Sequence, residues 1–211
     1  MITLYTWKTP NGCKPAIMLE EVGLPYTVRT VDIGADEQFD PAFLAVSPNN
    51  KIPAIMDDDA EGGDQAVFES GAILTYLAVK SGRLLPSAGP EHWSTLQWLH
   101  WSTGGLGPML GQLNFFAVRS DQKAPLAIER FTKEGRRLLS VLEKRLATTP
   151  YVAGDAYSIA DIVSYPWMHT AKTAMSSVLG DTFVESPAIN DWMARLEARP
   201  AVAKGMKVLE S

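Results

Sequence analysis

The stretch ITLYTWKTPNGCKPAIMLEEVGLPYTVRTVD, residues 2–32, decides the fold. Its opening residues, Ile2 to Tyr5, read as a strand. Residues 14–23, KPAIMLEEVG, read as a helix closed by Gly23, with Pro25 just beyond to stop it. Tyr26 to Asp32 then alternates in the manner of a strand with one buried face. Strand, helix and strand in so short a span form a crossover unit, whose two strands run parallel.

Reading outward, DPAFLAV (40–46) fits a short helix that starts from Asp40 with Pro41 in its first position. KIPAIMD (51–57) and QAVFE (65–69) are short strands on either side of an acidic, glycine-bearing loop, which predicts a hairpin. ESGAILTYLAVKSG (69–82) is a helix with Ile73, Leu74, Leu77 and Ala78 on one face. The order βαβ, short helix, ββ, α is that of a thioredoxin-like α/β domain, assigned to residues 1–82. Residues 83–90, containing LLPSAGP, read as a linker.

Residues 91–211 read as an all-α domain. Between Leu126 and Ala147 the apolar positions Ile128, Phe131, Leu138, Leu139, Leu142 and Leu146 recur at helical spacing. Gly135 lies on that stripe, where a missing side chain would admit a second helix. Ser158 followed by Asp161 is a variant capping box opening another helix. Pro108 and Pro166 sit inside helical patterns, where a kink or break is expected.

Composition narrows the function. With 46% hydrophobic and 20% charged residues the chain is an ordinary globular one. A net charge of -5 argues against nucleic acid as a partner. One cysteine, Cys13, makes no internal disulfide, so any cysteine redox chemistry needs an outside thiol. The start MITLYTW lacks the pattern of a signal peptide, and no uncharged apolar run reaches the ~18 residues of a membrane span. The expectation is a soluble cytoplasmic protein. His92, His100 and His169 show no ligand spacing, so no metal site is expected.

Four polar segments lie at corresponding edges of the first domain. In TPNGCK (9–14), Thr9 and Asn11 bring a hydroxyl and an amide to a helix start, where free N–H groups and the positive dipole end favour an anion such as a thiolate. The same two residues also suit a plain helix cap. In NKIPAI, Pro53 fits either a cis peptide that presents the Ile52 backbone to an extended ligand or a simple edge-strand proline. In FESGAI, Ser70 would cap a helix while its amides face a carboxylate, and Glu69 would meet an ammonium group. Gln38, Asn50 and Lys51 would hold a second carboxylate, or stand as surface residues. An amino-acid head, a peptide middle, a carboxylate tail and a sulfur at a helix start together describe glutathione.

The chain closely resembles the cytosolic glutathione transferases, and more narrowly the bacterial Nu class with its disulfide-bond oxidoreductases. The segments that carry the resemblance are TPNG (9–12), SPNNKIPAI (47–55), FESGAILTYLA (68–78), GGLGPMLGQ (104–112), AIERF (127–131) and YSIADI (157–162), in the family's order along nearly the whole chain. The resemblance implies a thioredoxin-like domain joined to a helical one, a homodimer, and glutathione in a cleft between the domains. It implies that glutathione, reduced or oxidised, is the cosubstrate, and that the other substrate is a small electrophile or disulfide. Disulfide reduction would be the main reaction, with peroxide reduction and conjugation beside it; a non-catalytic binding or regulatory protein of the same fold is the alternative.

By the same resemblance Thr9 and Asn11 are catalytic and act on the glutathione sulfur. Ile52 meets the cysteinyl part through its backbone, Glu69 and Ser70 take the γ-glutamyl head, and Gln38 and Lys51 take the glycyl end. Arg130 matches a position that also reaches glutathione, whereas Cys13 falls on a variable position after TPNG. A first-turn thiol of lowered pKa could still form a mixed disulfide with glutathione. The second substrate is expected near Trp101, Met109, Asn114, Phe115 and Phe116 of the helical domain.

Overall fold

The computed structural model describes residues 1–210. They form two compact units, one of Met1–Leu85 with the chain from Arg199 onward, the other of Pro86–Ala198.

In the first unit β1 (Ile2–Thr6) pairs in parallel with β2 (Tyr26–Thr30), and α1 (Pro10–Val22) crosses between them. Strands β3 (Ala54–Asp57) and β4 (Gln65–Phe68) add an antiparallel hairpin, giving the sheet order β2-β1-β3-β4. This is the thioredoxin-like arrangement read from the sequence. Local chemistry sets its boundaries. Gly23 ends α1 in the left-handed conformation at φ 73°, and its N–H returns to the Leu19 carbonyl. Asp40 starts α2 (Pro41–Leu44) by accepting the Ala42 N–H at 2.7 Å. Ile2 and Leu4 of β1, Ile17 and Leu19 of α1, and Ile73, Leu74 and Leu77 of α3 (Ser70–Ser81) are all buried in its core.

The turn from β1 into α1 is tight. A Cβ on Gly12 would lie 2.2 Å from the Trp7 carbonyl oxygen and 2.5 Å from Thr6 Oγ1, so only glycine fits. Thr6 Oγ1 also donates to the Gly12 carbonyl at 2.9 Å and locks the turn.

The sequence assigns residues 91–211 to the helical domain, but residues 199–210 pack with the first unit. Helix α10 (Pro200–Met206) lies along α1, and Gly205 is the point of contact. A Cβ there would sit 2.5 Å from the backbone N and Cα of Ile17. The contact spans the whole chain, which is why no local pattern announces it.

The second unit is helical: α4 (Pro90–Trp101), α5 (Gly107–Leu113), α6 (Pro125–Leu146), α7 (Ile159–Ala174), α8 (Ser176–Val184) and α9 (Pro187–Glu197). π-helical turns at Ser102–Leu106 and Asn114–Arg119 flank α5, so the irregularity expected near Pro108 falls just before it. Pro166, by contrast, lies inside an unbroken α7. At the start of α7 the capping box is complete, with Asp161 accepting the Ser158 N–H at 3.0 Å. Gly135 faces Leu110 and Leu113 of α5, yet a Cβ on it would meet ordinary contacts of 3.5 Å or more.

Candidate active site

The first-unit candidates sit on the start of α1, the entry to β3 and the start of α3. Thr9 is the N-cap of α1, and its Oγ1 accepts the Gly12 N–H at 3.0 Å. That bond uses a lone pair, so the hydroxyl proton is left to donate elsewhere. Asn11 follows on the first turn, half-buried like Thr9. No acidic side chain occupies this turn. The helix end therefore keeps its positive character for an incoming anion.

Cys13 is two positions beyond Asn11. At about 100° per residue that is roughly the opposite face of the helix. Its thiol points to the Met206 carbonyl of α10, 3.8 Å away. Burial, and secondarily the charge of Glu210, pushes the Cys13 thiol up to about 11. It is held as a thiol, the reverse of the lowered pKa that a reactive first-turn cysteine needs.

The Ile52–Pro53 bond is cis, immediately before β3. Ser70 does not cap α3: the N-cap is Glu69, at φ 69° and ψ 119°, and Ser70 is the first helical residue. A non-glycine side chain in this backbone region is strained. The helix's first internal bond runs from Ile73 N–H to the Glu69 carbonyl. The amides of Ser70, Gly71 and Ala72 thus have no intrahelical acceptor. Glu69 itself accepts from Asn49 Nδ2 at 3.3 Å. Asn49, within the SPNNKIPAI segment, carries no signal of its own in the sequence beyond adjacency to Asn50 and Lys51.

Gln38 and Lys51 are fixed separately. Gln38 Nε2 donates to Asp36 Oδ1 at 3.2 Å, while its Oε1 is buried without a partner among the described residues. Lys51 is exposed, and its carbonyl accepts from Ser47 Oγ at 2.8 Å. No hydrogen bond joins these two among the described residues.

Arg130 belongs to the second unit, on α6. With Met109, Leu126, Phe131, Glu134 and Arg137 it lines a cavity of about 630 Å³. Of the residues expected around a second substrate, Met109 lines this cavity directly. Phe116 stacks on the lining residue Phe131 with centroids 5.8 Å apart, and Phe115 meets Phe116 edge-on at 5.1 Å. Trp101 packs instead against Trp98, at 5.0 Å. Among the described residues no cluster of three or more His, Cys, Asp or Glu could hold a metal ion, and no helix is long and apolar enough to cross a membrane.

Comparison with known proteins gives this geometry a family. Residues 1–79 match the model "Glutathione S-transferase, N-terminal domain", and residues 106–200 match "Glutathione S-transferase, C-terminal domain". The chain belongs to the glutathione S-transferase family. It is 48% identical to the disulfide-bond oxidoreductase YfcG of Escherichia coli, over 98% of this chain and 94% of that protein. Among solved structures, a glutathione transferase family member from Pseudomonas fluorescens with two glutathione bound superposes with a TM-score of 0.92 at 42% identity, covering 97% of this chain and 92% of the other. A glutathione transferase from Pseudomonas putida, with one glutathione disulfide bound per subunit, gives 0.93 at 39% identity, covering 99% and 91%.

Proposed function

We propose that this protein reduces disulfide bonds with the thiolate of bound glutathione, which Thr9 and Asn11 keep ionised. The observation that carries the reading is the paired placement on α1: a hydroxyl with a free proton at the helix start, and the chain's single cysteine turned away and kept protonated. The disulfide-bond oxidoreductase relative and the glutathione-bound neighbours support it.

The energetics are sufficient. A free thiol near ~8.5 must come down by about two units, which takes roughly 2.7 kcal/mol of selective thiolate stabilisation. A helix end supplies at most about 2 and usually under 1 kcal/mol. One hydrogen bond to a charged acceptor adds about 1.5–3 kcal/mol. Thr9 or Asn11 together with the helix end reaches the requirement without a tyrosine.

The thiolate attacks one sulfur of a substrate disulfide; a mixed disulfide forms and the other sulfur leaves as a thiolate, protonated by solvent. A second glutathione thiolate attacks the mixed disulfide at its glutathione sulfur, giving glutathione disulfide and the second substrate thiol. Two glutathiones are oxidised for each disulfide reduced, and no protein thiol takes part. Glu69 would take the ammonium of the γ-glutamyl head and the Ser70 amides its carboxylate. The Ile52 backbone would pair the cysteinyl part, Gln38 and Lys51 would hold the glycyl carboxylate, and Arg130 would add a further contact to glutathione. The working form in this reading is a cytoplasmic homodimer, with a disulfide or small electrophile as the other substrate. Turnover of a hydroxyalkyl disulfide tests the assignment: Thr9→Ala or Asn11→Ala should lose about ten-fold or more, and Cys13→Ser should stay near wild type. Equal losses in all three would refute it.

A further inference from the structure

Apart from Arg130, the wall of the cavity on α5 and α6 has no part in that reading. Its volume of about 630 Å³ is that of a small-molecule site, which runs from roughly 300 to 1,000 Å³. The wall has two kinds of surface. Met109, Leu126 and Phe131 form its apolar part. Leu126 is 80% exposed, and the ring of Phe131 is backed by Phe116, stacked on it at 5.8 Å. A thioether beside a braced aromatic face suits another ring.

The polar part belongs wholly to α6, where Glu129, Arg130, Lys133, Glu134 and Arg137 recur at helical spacing along one face. Glu134 and Arg137 satisfy each other through two bonds of 2.7 and 2.8 Å. Lys133 and Arg130 are different. Both are exposed, and among the described residues no hydrogen bond or ion pair engages either side chain. Glu129 stands one turn before Lys133 yet forms no ion pair with it. Three cations face two carboxylates, so the wall keeps an excess of positive charge beside its apolar surface.

We propose that this cavity binds a small aromatic carboxylate, with the ring against Phe131 and Met109 and the carboxylate between Arg130 and Lys133. Such a ligand answers both surfaces at once: the ring covers the apolar part, and the carboxylate supplies the acceptors that the two cations lack. Glutathione carries an ammonium among its charges and has no large apolar body. A second copy of the chain laid on this face would set the same excess charge against itself. The proposal goes beyond the glutathione reading and does not depend on it.

Calorimetric titration with naphthoate and with naphthamide, its uncharged counterpart of the same shape, tests the site. Wild type should bind naphthoate about ten-fold more tightly, the gain expected when a hydrogen bond becomes charge-assisted. Lys133→Glu, at an exposed position, reverses the excess charge and should abolish that preference while changing naphthamide binding by less than about two-fold. Acetate has the charge without the ring and should not displace naphthoate at equal concentration. Naphthoate should also stay bound in the presence of excess S-methylglutathione.

Equal affinity of wild type for the two naphthalenes would overturn the proposal, as would an unchanged preference in Lys133→Glu. Displacement by acetate would reduce the site to a general attraction for anions, and full displacement by S-methylglutathione would make the cavity part of the glutathione site; either result overturns it. Failure of wild type to bind naphthoate at millimolar concentration, with Leu126→Glu splitting a dimer into monomers, would assign the face to a second copy instead.

Discussion

Arg199 closes on Glu21 through two hydrogen bonds, Nε to Oε1 at 2.7 Å and Nη2 to Oε2 at 2.8 Å, across a sequence separation of 178 residues. Glu21 is only 6% exposed, so the fork satisfies a carboxylate that water barely reaches. Arg199→Ala leaves that charge buried and unpaired, and should cost about 2 kcal/mol. The loss should appear as a lower urea midpoint with an unchanged slope. In the double variant with Glu21→Gln part of it should return, because the orphaned charge is gone.

Gly205 and Gly135, both buried in helices, should respond in opposite ways to alanine. Gly205→Ala drives a methyl against the Ile17 backbone, which cannot swing aside, and should destabilise by about 1–3 kcal/mol. Gly135→Ala meets only leucine side chains at ordinary distance, while the helix gains up to about 1 kcal/mol of propensity. Thermal melts of the pair should therefore move in opposite directions. A fall for both would mean that α5 and α6 cannot accommodate the methyl.

Asp161 is fully buried and serves four donors: Val152 N–H and Trp192 Nε1 at 2.9 Å, Ser158 N–H at 3.0 Å and Ser158 Oγ at 3.2 Å. Burial pushes its carboxyl up, and these donors pull the other way. Asp161→Ala strands all of them and should cost about 3–5 kcal/mol. Ser158→Ala removes the cap and one donor, and should cost about 1 kcal/mol. The reverse ranking in denaturant titrations would show that Asp161 is not the centre of this network.

Lys14, 1% exposed on α1, predicts a pH dependence of stability, because burial pulls its ammonium down. Its folded-state pKa, about 7, lies below the ordinary 10.5, so between those values the unfolded chain binds a proton that the folded chain does not. Unfolding free energy from this group accordingly rises with pH above 7. Comparison with Lys14→Met isolates this group, since the Cys13 thiol, pushed up to about 11 when folded, contributes to both chains alike. Lys14→Met should be more stable than wild type at pH 7, by up to a few kcal/mol. The gap should narrow toward pH 9. A gap independent of pH would assign the gain to packing alone.

Much of this architecture was legible because it is written in local signals. Gly23, the Asp40–Pro41 pair and the Ser158–Asp161 pair each do in the structure what their chemistry proposes, since caps act over only three or four residues. The helical stripes placed the helices for the same reason, and a strand does form at Tyr26–Thr30, but without the buried face its alternation predicts, since residues 27–30 are exposed. Ser70 misled because a serine before an apolar run suits an N-cap, while here Glu69 takes that position with positive φ. Nothing local reports such a backbone choice. In TPNGCK Lys14 reads as one more polar residue, because its burial depends on the packing of distant elements such as α3 and α10 on α1. The π-helical turns beside α5 were equally silent, and so was the pairing of Gly205 with Ile17.

Synthesis order gives the Arg199–Glu21 clasp one more meaning. When the ribosome has released the first 85 residues, the groove on α1 that takes Gly205 is still bare, and the entire helical unit must be translated before its cover exists. The half that appears first is thus finished last. A shortened chain ending near residue 198 should emerge with that groove open, and adding a peptide of residues 199–210 in trans should repair it.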